Sequence, residues 1–140
     1  MPSNWSGWRW TKNFYNMKLR IKGNSIRLRL TQREIGQVGA GQTVREEVCF
    51  ATGLFAYALL TDPNIEVPDA GFREGELRVR LPADLAARWA FSDQVGIETQ
   101  VAGRDGHALH LLIEKDFQCL HKRPGEDESD HFKNPAATEA

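Results

Sequence analysis

The chain has 140 residues, enough for one domain with its own core and too few to stabilise two independent ones. Hydrophobic residues make up 41% and charged residues 26%, and the formal charge is −1, so any pull on nucleic acid or an anionic membrane must come from a local patch. No apolar run reaches bilayer length, no secretory leader is visible, and Cys49 and Cys119 make no disulfide framework, so the expected setting is the cytoplasm with both thiols reduced.

Residues 1–16, MPSNWSGWRWTKNFYN, hold three of the four tryptophans and follow neither helical nor strand periodicity. They read as a non-native or disordered extension ahead of a natural start at Met17. The alternative is an aromatic peptide that docks on a partner or on the domain itself. Order begins at Lys18. Residues 18–22 and 26–30 alternate with a period of two, the mark of half-buried strands, and Gly-Asn-Ser between them supplies a hairpin turn. Leu19, Ile21, Ile26, Leu28 and Leu30 then share one face, and Lys18, Arg20, Lys22, Arg27 and Arg29 share the other.

Thr31 and Glu34 make a capping box, with Leu30 and Ile35 placed as its hydrophobic staple, and Gly39 and Gly41 are expected to end the helix after about two turns. Residues 44–50 and 54–60 read as strands. Residues 61–75 are rich in Pro, Gly and Asp and read as a connection, with room for a short strand at 65–67. The alternation returns at 76–81, and a helix over 82–91 has proline in its first turn and Leu85 and Trp89 on its apolar stripe. Strands at 95–101 and 107–114 follow, joined by a turn at Gly-Arg-Asp-Gly.

The two halves echo each other. Arg27, Arg29, Leu30, Val38 and Val44 fall on Arg78, Arg80, Leu81, Trp89 and Val95 at a constant offset (78 − 27 = 51). Two β-α-β-β repeats give this pattern, and so does convergence of any strand that enters a capped helix. The predicted class is α+β: residues 17–120 form one domain, a curled, mostly antiparallel sheet of seven or eight strands with two short helices in a barrel-like arrangement. Two helices cannot cover both faces of so large a sheet, so one face is wet or the sheet encloses a polar interior. Residues 121–140 read as an acidic, mostly irregular tail.

The motifs MKLRIKGNSIRLRL (17–30), the capped Thr31–Gln32 helix, EKDF (114–117), the acidic stretch 125–130 and Asn134–Pro135 resemble a family of small bacterial proteins that carries no established activity. The strand count, the internal echo and the charge rows also resemble the triphosphate tunnel fold, in which two repeats enclose a polyphosphate and a metal. That family's opening Glu-x-Glu-x-Lys is replaced here by Lys18, Arg20 and Lys22. The resemblance implies that Glu98, Glu114 and Asp116 would have to supply the carboxylates.

Seven basic residues, Lys18, Arg20, Lys22, Arg27, Arg29, Arg78 and Arg80, are the candidate anion site, because several guanidinium forks on adjacent strands can cradle phosphate or carboxylate. The competing reading is a solvated face whose cations pair with Glu46, Glu47, Glu76 and Glu98. Glu114 and Asp116 share a strand face and suit either a metal or general-base pair or ion pairs with the arginines. Cys119, His121, Asp130 and His131 are chemically able to hold zinc, but no Cys-x-x-Cys accompanies them. His107 and His110 fall on opposite strand faces, and no phosphate-binding Gly-rich loop with a following Lys-Ser or Lys-Thr exists.

Three functions fit. The first is a non-enzymatic cytoplasmic protein, without cofactor, that binds a phosphate-bearing small molecule or an acidic protein surface. The second is a phosphohydrolase of the triphosphate-tunnel type, dependent on a divalent metal. The third is an interaction module without a small-molecule ligand. Membrane and nucleic acid are not expected partners.

Overall fold

Alternation puts every second side chain on one side of a strand, and the first ribbon obeys it. In the computed structural model, which describes residues 16–117, β1 (Lys18–Lys22) and β2 (Ser25–Leu30) form an antiparallel hairpin that sets Lys18 opposite Arg29 and Lys22 opposite Ser25. Gly23 takes the left-handed conformation its turn requires, at φ 57°. Leu28 and Leu30 are fully buried, whereas Arg27 and Arg29, which alternate with them, face outward.

The capping box forms as the sequence predicts at the start of α1 (Gln32–Gly39). Thr31 accepts from the Glu34 backbone N–H, and the Glu34 carboxylate accepts from the Thr31 N–H at 2.9 Å. Glu34 also accepts from the Met17 N–H at 2.9 Å, so one buried carboxylate ties the approach to β1 to the helix start. The two glycines at the other end do different things. Gly41, at φ 91°, makes the left-handed turn. Gly39 has an ordinary φ, but a Cβ there would lie 2.6 Å from the Ala90 Cβ and 2.9 Å from the Phe91 ring, so its bare backbone permits a close helix crossing.

The remaining elements are β3 (Val44–Phe50), β4 (Gly53–Asp62), β5 (Asp69–Arg73), β6 (Glu76–Pro82), α2 (Ala83–Ala90), β7 (Gly96–Val101), a single 3-10 turn (Arg104–Gly106) and β8 (Leu109–Lys115). β5 occupies part of the predicted connection, downstream of the short strand expected at 65–67. Its sequence, DAGFR, has no alternating apolar pattern to announce it. Pairing holds it in place, from Asp69 opposite Arg80 to Arg73 opposite Glu76. The closing turn, Glu74–Gly75, has both residues at positive φ.

The strands form two open sheets, ordered β1-β2-β8-β7 and β3-β4-β6-β5, in place of the expected single barrel-like sheet. Among the described residues, four of the six strand pairs are antiparallel, as expected, and two are not. Short turns dictate antiparallel pairing only between sequence neighbours. The central pairs, β2 with β8 and β4 with β6, join strands far apart in sequence and run parallel, so both sheets are mixed.

The register of the two sheets corresponds closely. Lys18 opposite Arg29 in one hairpin matches Asp69 opposite Arg80 in the other, 51 residues on, and α1 and α2 keep that spacing. Past the helices the correspondence drifts. Val44 opposite Leu59 matches Ile97 opposite Ile113, at offsets of 53 (97 − 44) and 54 (113 − 59) in place of 51, because the second half is longer after its helix. In each sheet, the hairpin that precedes one helix pairs with the hairpin that follows the other: Ser25 meets His110, and Glu76 meets Ala56.

Both sheets and both helices bury one face in a single cluster that includes Leu28, Leu30, Val38, Leu59, Val79, Leu81, Trp89, Leu111 and Ile113. Trp89 is its largest fully buried side chain, and its indole N–H reaches the Val95 carbonyl at 3.3 Å. Truncating such a residue costs about 3–5 kcal/mol, so α2 is anchored chiefly by this one ring.

Candidate functional site

Side chains that alternate with Leu28, Leu111 and Ile113 point away from the core. The outer face of the first sheet therefore carries Lys18, Arg20 and Lys22 from β1, Arg27 and Arg29 from β2, His110 and Glu114 from β8, and Glu98 from β7. The register aligns Lys18, Arg29 and Glu114 in one row, and Arg20, Arg27, Leu112 and Glu98 in the next. Two cation pairs thus stand directly opposite each other, Lys18 with Arg29 and Arg20 with Arg27. Like charges in that position are destabilising unless something compensates them.

Compensation is partial. Glu114 accepts from the Arg27 Nε at 2.9 Å and lies 2.8 Å from its Nη2, with the Arg29 Nε 3.6 Å from the same oxygen. That Arg29 Nε is buried and has no hydrogen-bond partner among the described residues. Asp116 lies 3.3 Å from the Lys18 ammonium, and Glu98 holds His110 at 2.8 Å. Arg20 and Lys22 have no ion pair among the described residues. Five cations here face three carboxylates, Glu98, Glu114 and Asp116.

Arg78 and Arg80 belong to β6, on the outer face of the second sheet, so the seven basic residues do not share one surface. That face is balanced: Arg45, Arg73, Arg78 and Arg80 accompany Asp62, Asp69, Glu47 and Glu76. Arg80 donates to both Asp69 oxygens at 3.0 and 2.6 Å and to Asp62 at 2.9 Å. The hydrogen bond to Asp69 does most to raise its pKa above the usual arginine value. Arg45 is raised likewise, by Glu47 first and then Glu76. Arg78 is exposed and has no ion pair among the described residues.

The expected counter-charges are thus redistributed. Glu47 and Glu76 serve Arg45, Glu98 serves His110, and the opening ribbon depends on Glu114 and Asp116. Glu46 points the other way, toward the core side, beside Tyr57, whose hydroxyl donates to the Met17 carbonyl at 3.0 Å. Burial pushes the pKa of Glu46 up and the nearby Glu34 charge adds to the rise, while a hydrogen bond with Asn16 opposes it. Tyr57 is raised by burial, then by Glu46 and Glu34. The signal for Glu46 was present in the sequence, since it alternates in register with Val44 and Val48.

Cys119, His121, Asp130 and His131 lie outside the described residues, as do residues 1–15 of the extension and the tail at 121–140. Among the described residues, no group of three or more His, Cys, Asp or Glu side chains is placed to hold a metal ion, and no helix is long and apolar enough to cross a membrane. An open hollow of about 410 Å³ lies at the start of α2, lined by Pro63, Ile65, Glu66, Pro82, Ala83 and Asp84. Its charged side chains are acidic and it includes none of the basic residues.

A family of unknown function, DUF7009, matches residues 17–136, which takes in every strand and helix described above. A comparison with curated proteins finds no match.

Proposed function

The chain belongs to the DUF7009 family, and we propose that it is a small binding protein that takes an anionic ligand, phosphate-bearing or acidic, on the outer face of its first sheet. Lys18, Arg20, Lys22, Arg27 and Arg29 form the site. One observation carries this reading: two cation pairs oppose each other across β1 and β2, whereas the corresponding positions of the second sheet set Asp69 against Arg80 and Gly71 against Arg78. Both faces are built on the same register, yet only one keeps an excess of positive charge. An uncompensated cluster lowers stability, and a bound anion offsets that penalty.

Arg27 and Glu114 supply a fixed pair at the centre, while Arg20 and Lys22 are the cations available to a ligand. Glu98, Glu114 and Asp116, the carboxylates that phosphate-ester hydrolysis would need, are engaged with His110, Arg27 and Lys18. The proposal also holds that the two halves descend from a duplicated β-α-β-β unit, which the matching registers support. It places the protein in a bacterial cytoplasm, in keeping with the resemblance of its opening motif and with an exposed, free Cys49 thiol.

The test is thermal stability at low salt with sodium tripolyphosphate and no divalent metal. At ten times Kd the gain is about 1.4 kcal/mol, or about 5–7 °C for a domain of this size. Arg20→Ala with Lys22→Ala abolishes the shift, and Arg73→Ala with Arg78→Ala on the second sheet leaves it intact. A shift that survives the first pair and disappears with the second refutes the site.

A further inference from the structure

We propose that the edge strand β1 accepts an acidic peptide in extended conformation as a fifth strand of the first sheet, with carboxylates at alternate positions facing Lys18, Arg20 and Lys22. This rests on the reading of that face as an anion site and names its partner. Among the described residues β1 pairs with β2 alone, which leaves one side of its backbone open to a new strand. Lys18, Arg20 and Lys22 are successive side chains on one face, about 6.6–6.8 Å apart. A strand added alongside repeats that pitch and sets its own side chains about 5 Å away. Carboxylates at every second position then meet three cations, of which two have no ion-pair partner among the described residues.

The opposite face of β1 supplies a second, independent feature. Ile21 is 60% exposed and Leu19 is half-buried beside it, so the residues between the carboxylates are required to be apolar. The ligand is therefore an acid-apolar-acid-apolar-acid strand, held by main-chain hydrogen bonds and selected by alternate side chains. The other edges lack this character. β5 has Asp69 committed to Arg80, β7 presents Glu98 beside Gln100, and β3 alternates Arg45, Glu47 and Cys49. A second copy of β1 is disfavoured, because it would set cations against cations.

The probe is a fluorescently labelled, capped heptapeptide alternating glutamate and valine, titrated into the full-length protein at low salt and read by anisotropy. Saturable binding is expected, weakened at least tenfold by Arg20→Ala with Lys22→Ala and at least tenfold by N-methylation of one alternate set of peptide amides, the set that faces β1, whereas N-methylation of the other set is tolerated. If both N-methylated peptides bind within twofold of the parent, strand addition is overturned, and the anion site stands if tripolyphosphate still binds. Failure of both peptide and tripolyphosphate overturns the site itself. Tighter peptide binding after Glu126→Ser, Glu128→Ser and Asp130→Ser would assign the edge to this chain's own acidic stretch and overturn the assignment to a partner.

Discussion

Arg20→Glu separates function from stability on one face. Arg20 stands opposite Arg27 and has no ion pair among the described residues, so the substitution removes a like-charged cross-strand pair and installs an opposite-charged one. Each change is worth about 0.2–1 kcal/mol, so the domain gains about 0.4–2 kcal/mol at low ionic strength. A gain of 1 kcal/mol corresponds to about 3–5 °C in Tm for a domain of this size. Urea denaturation in 10 mM and in 1 M sodium chloride measures it, because an electrostatic gain shrinks when the screening length falls to about 3 Å. The same variant loses tripolyphosphate binding. A variant that is less stable than the parent at low salt, or whose gain is unchanged in 1 M salt, refutes the claim that this face stores unrelieved repulsion.

Substitutions at three further positions probe the frame behind the face. Gly39→Ala forces a Cβ against Ala90, and overpacking outweighs the better helix propensity by about 1–2 kcal/mol, measured by urea denaturation. Glu34→Ala strips acceptors from the Met17 and Thr31 amides and costs about 2–3 kcal/mol; Glu34→Gln, which keeps one acceptor, restores part of it. Glu46 has its folded-state pKa raised, chiefly by burial, so its contribution to stability is complete below the ordinary glutamate value of about 4.3 and is lost as pH rises through the higher folded value. Glu46→Gln therefore flattens the decline in stability between about pH 4.3 and the higher folded value, where only the folded state holds the proton. A parallel decline in both proteins would contradict the assignment.

Local features were legible and long-range ones were not. The hairpin of β1 and β2, the Thr31–Glu34 box and the burial of Trp89 follow from neighbours within a few residues, where periodicity and capping chemistry decide the outcome. β5 escaped notice because Asp69–Arg73 has no apolar rhythm and exists as a strand only through its pairing with β6. The parallel pairings were invisible for a related reason. Nothing near Ser25 specifies His110 as its partner; packing of both sheets against one core does.

The site was half legible. The cations of the opening ribbon do lie on one outer face, as alternation requires, but the resemblance of Arg78 and Arg80 to Arg27 and Arg29 concealed their place on a different sheet. Correspondence between two halves means equivalent positions, and equivalent positions in an exchanged arrangement are apart in space. Counter-charges could not be assigned either. Glu114 meets Arg27 only because β8 inserts beside β2, and Glu46 turns inward because it shares a face with Val44.

The most direct measurement is an amide NMR titration of the full-length protein with tripolyphosphate at low salt. Shift changes concentrated in residues 18–29, with little change in residues 76–82 and 44–47, are the predicted result. Changes centred on the second sheet, or spread evenly over every exposed cation, would contradict the assignment of the anion site to the first.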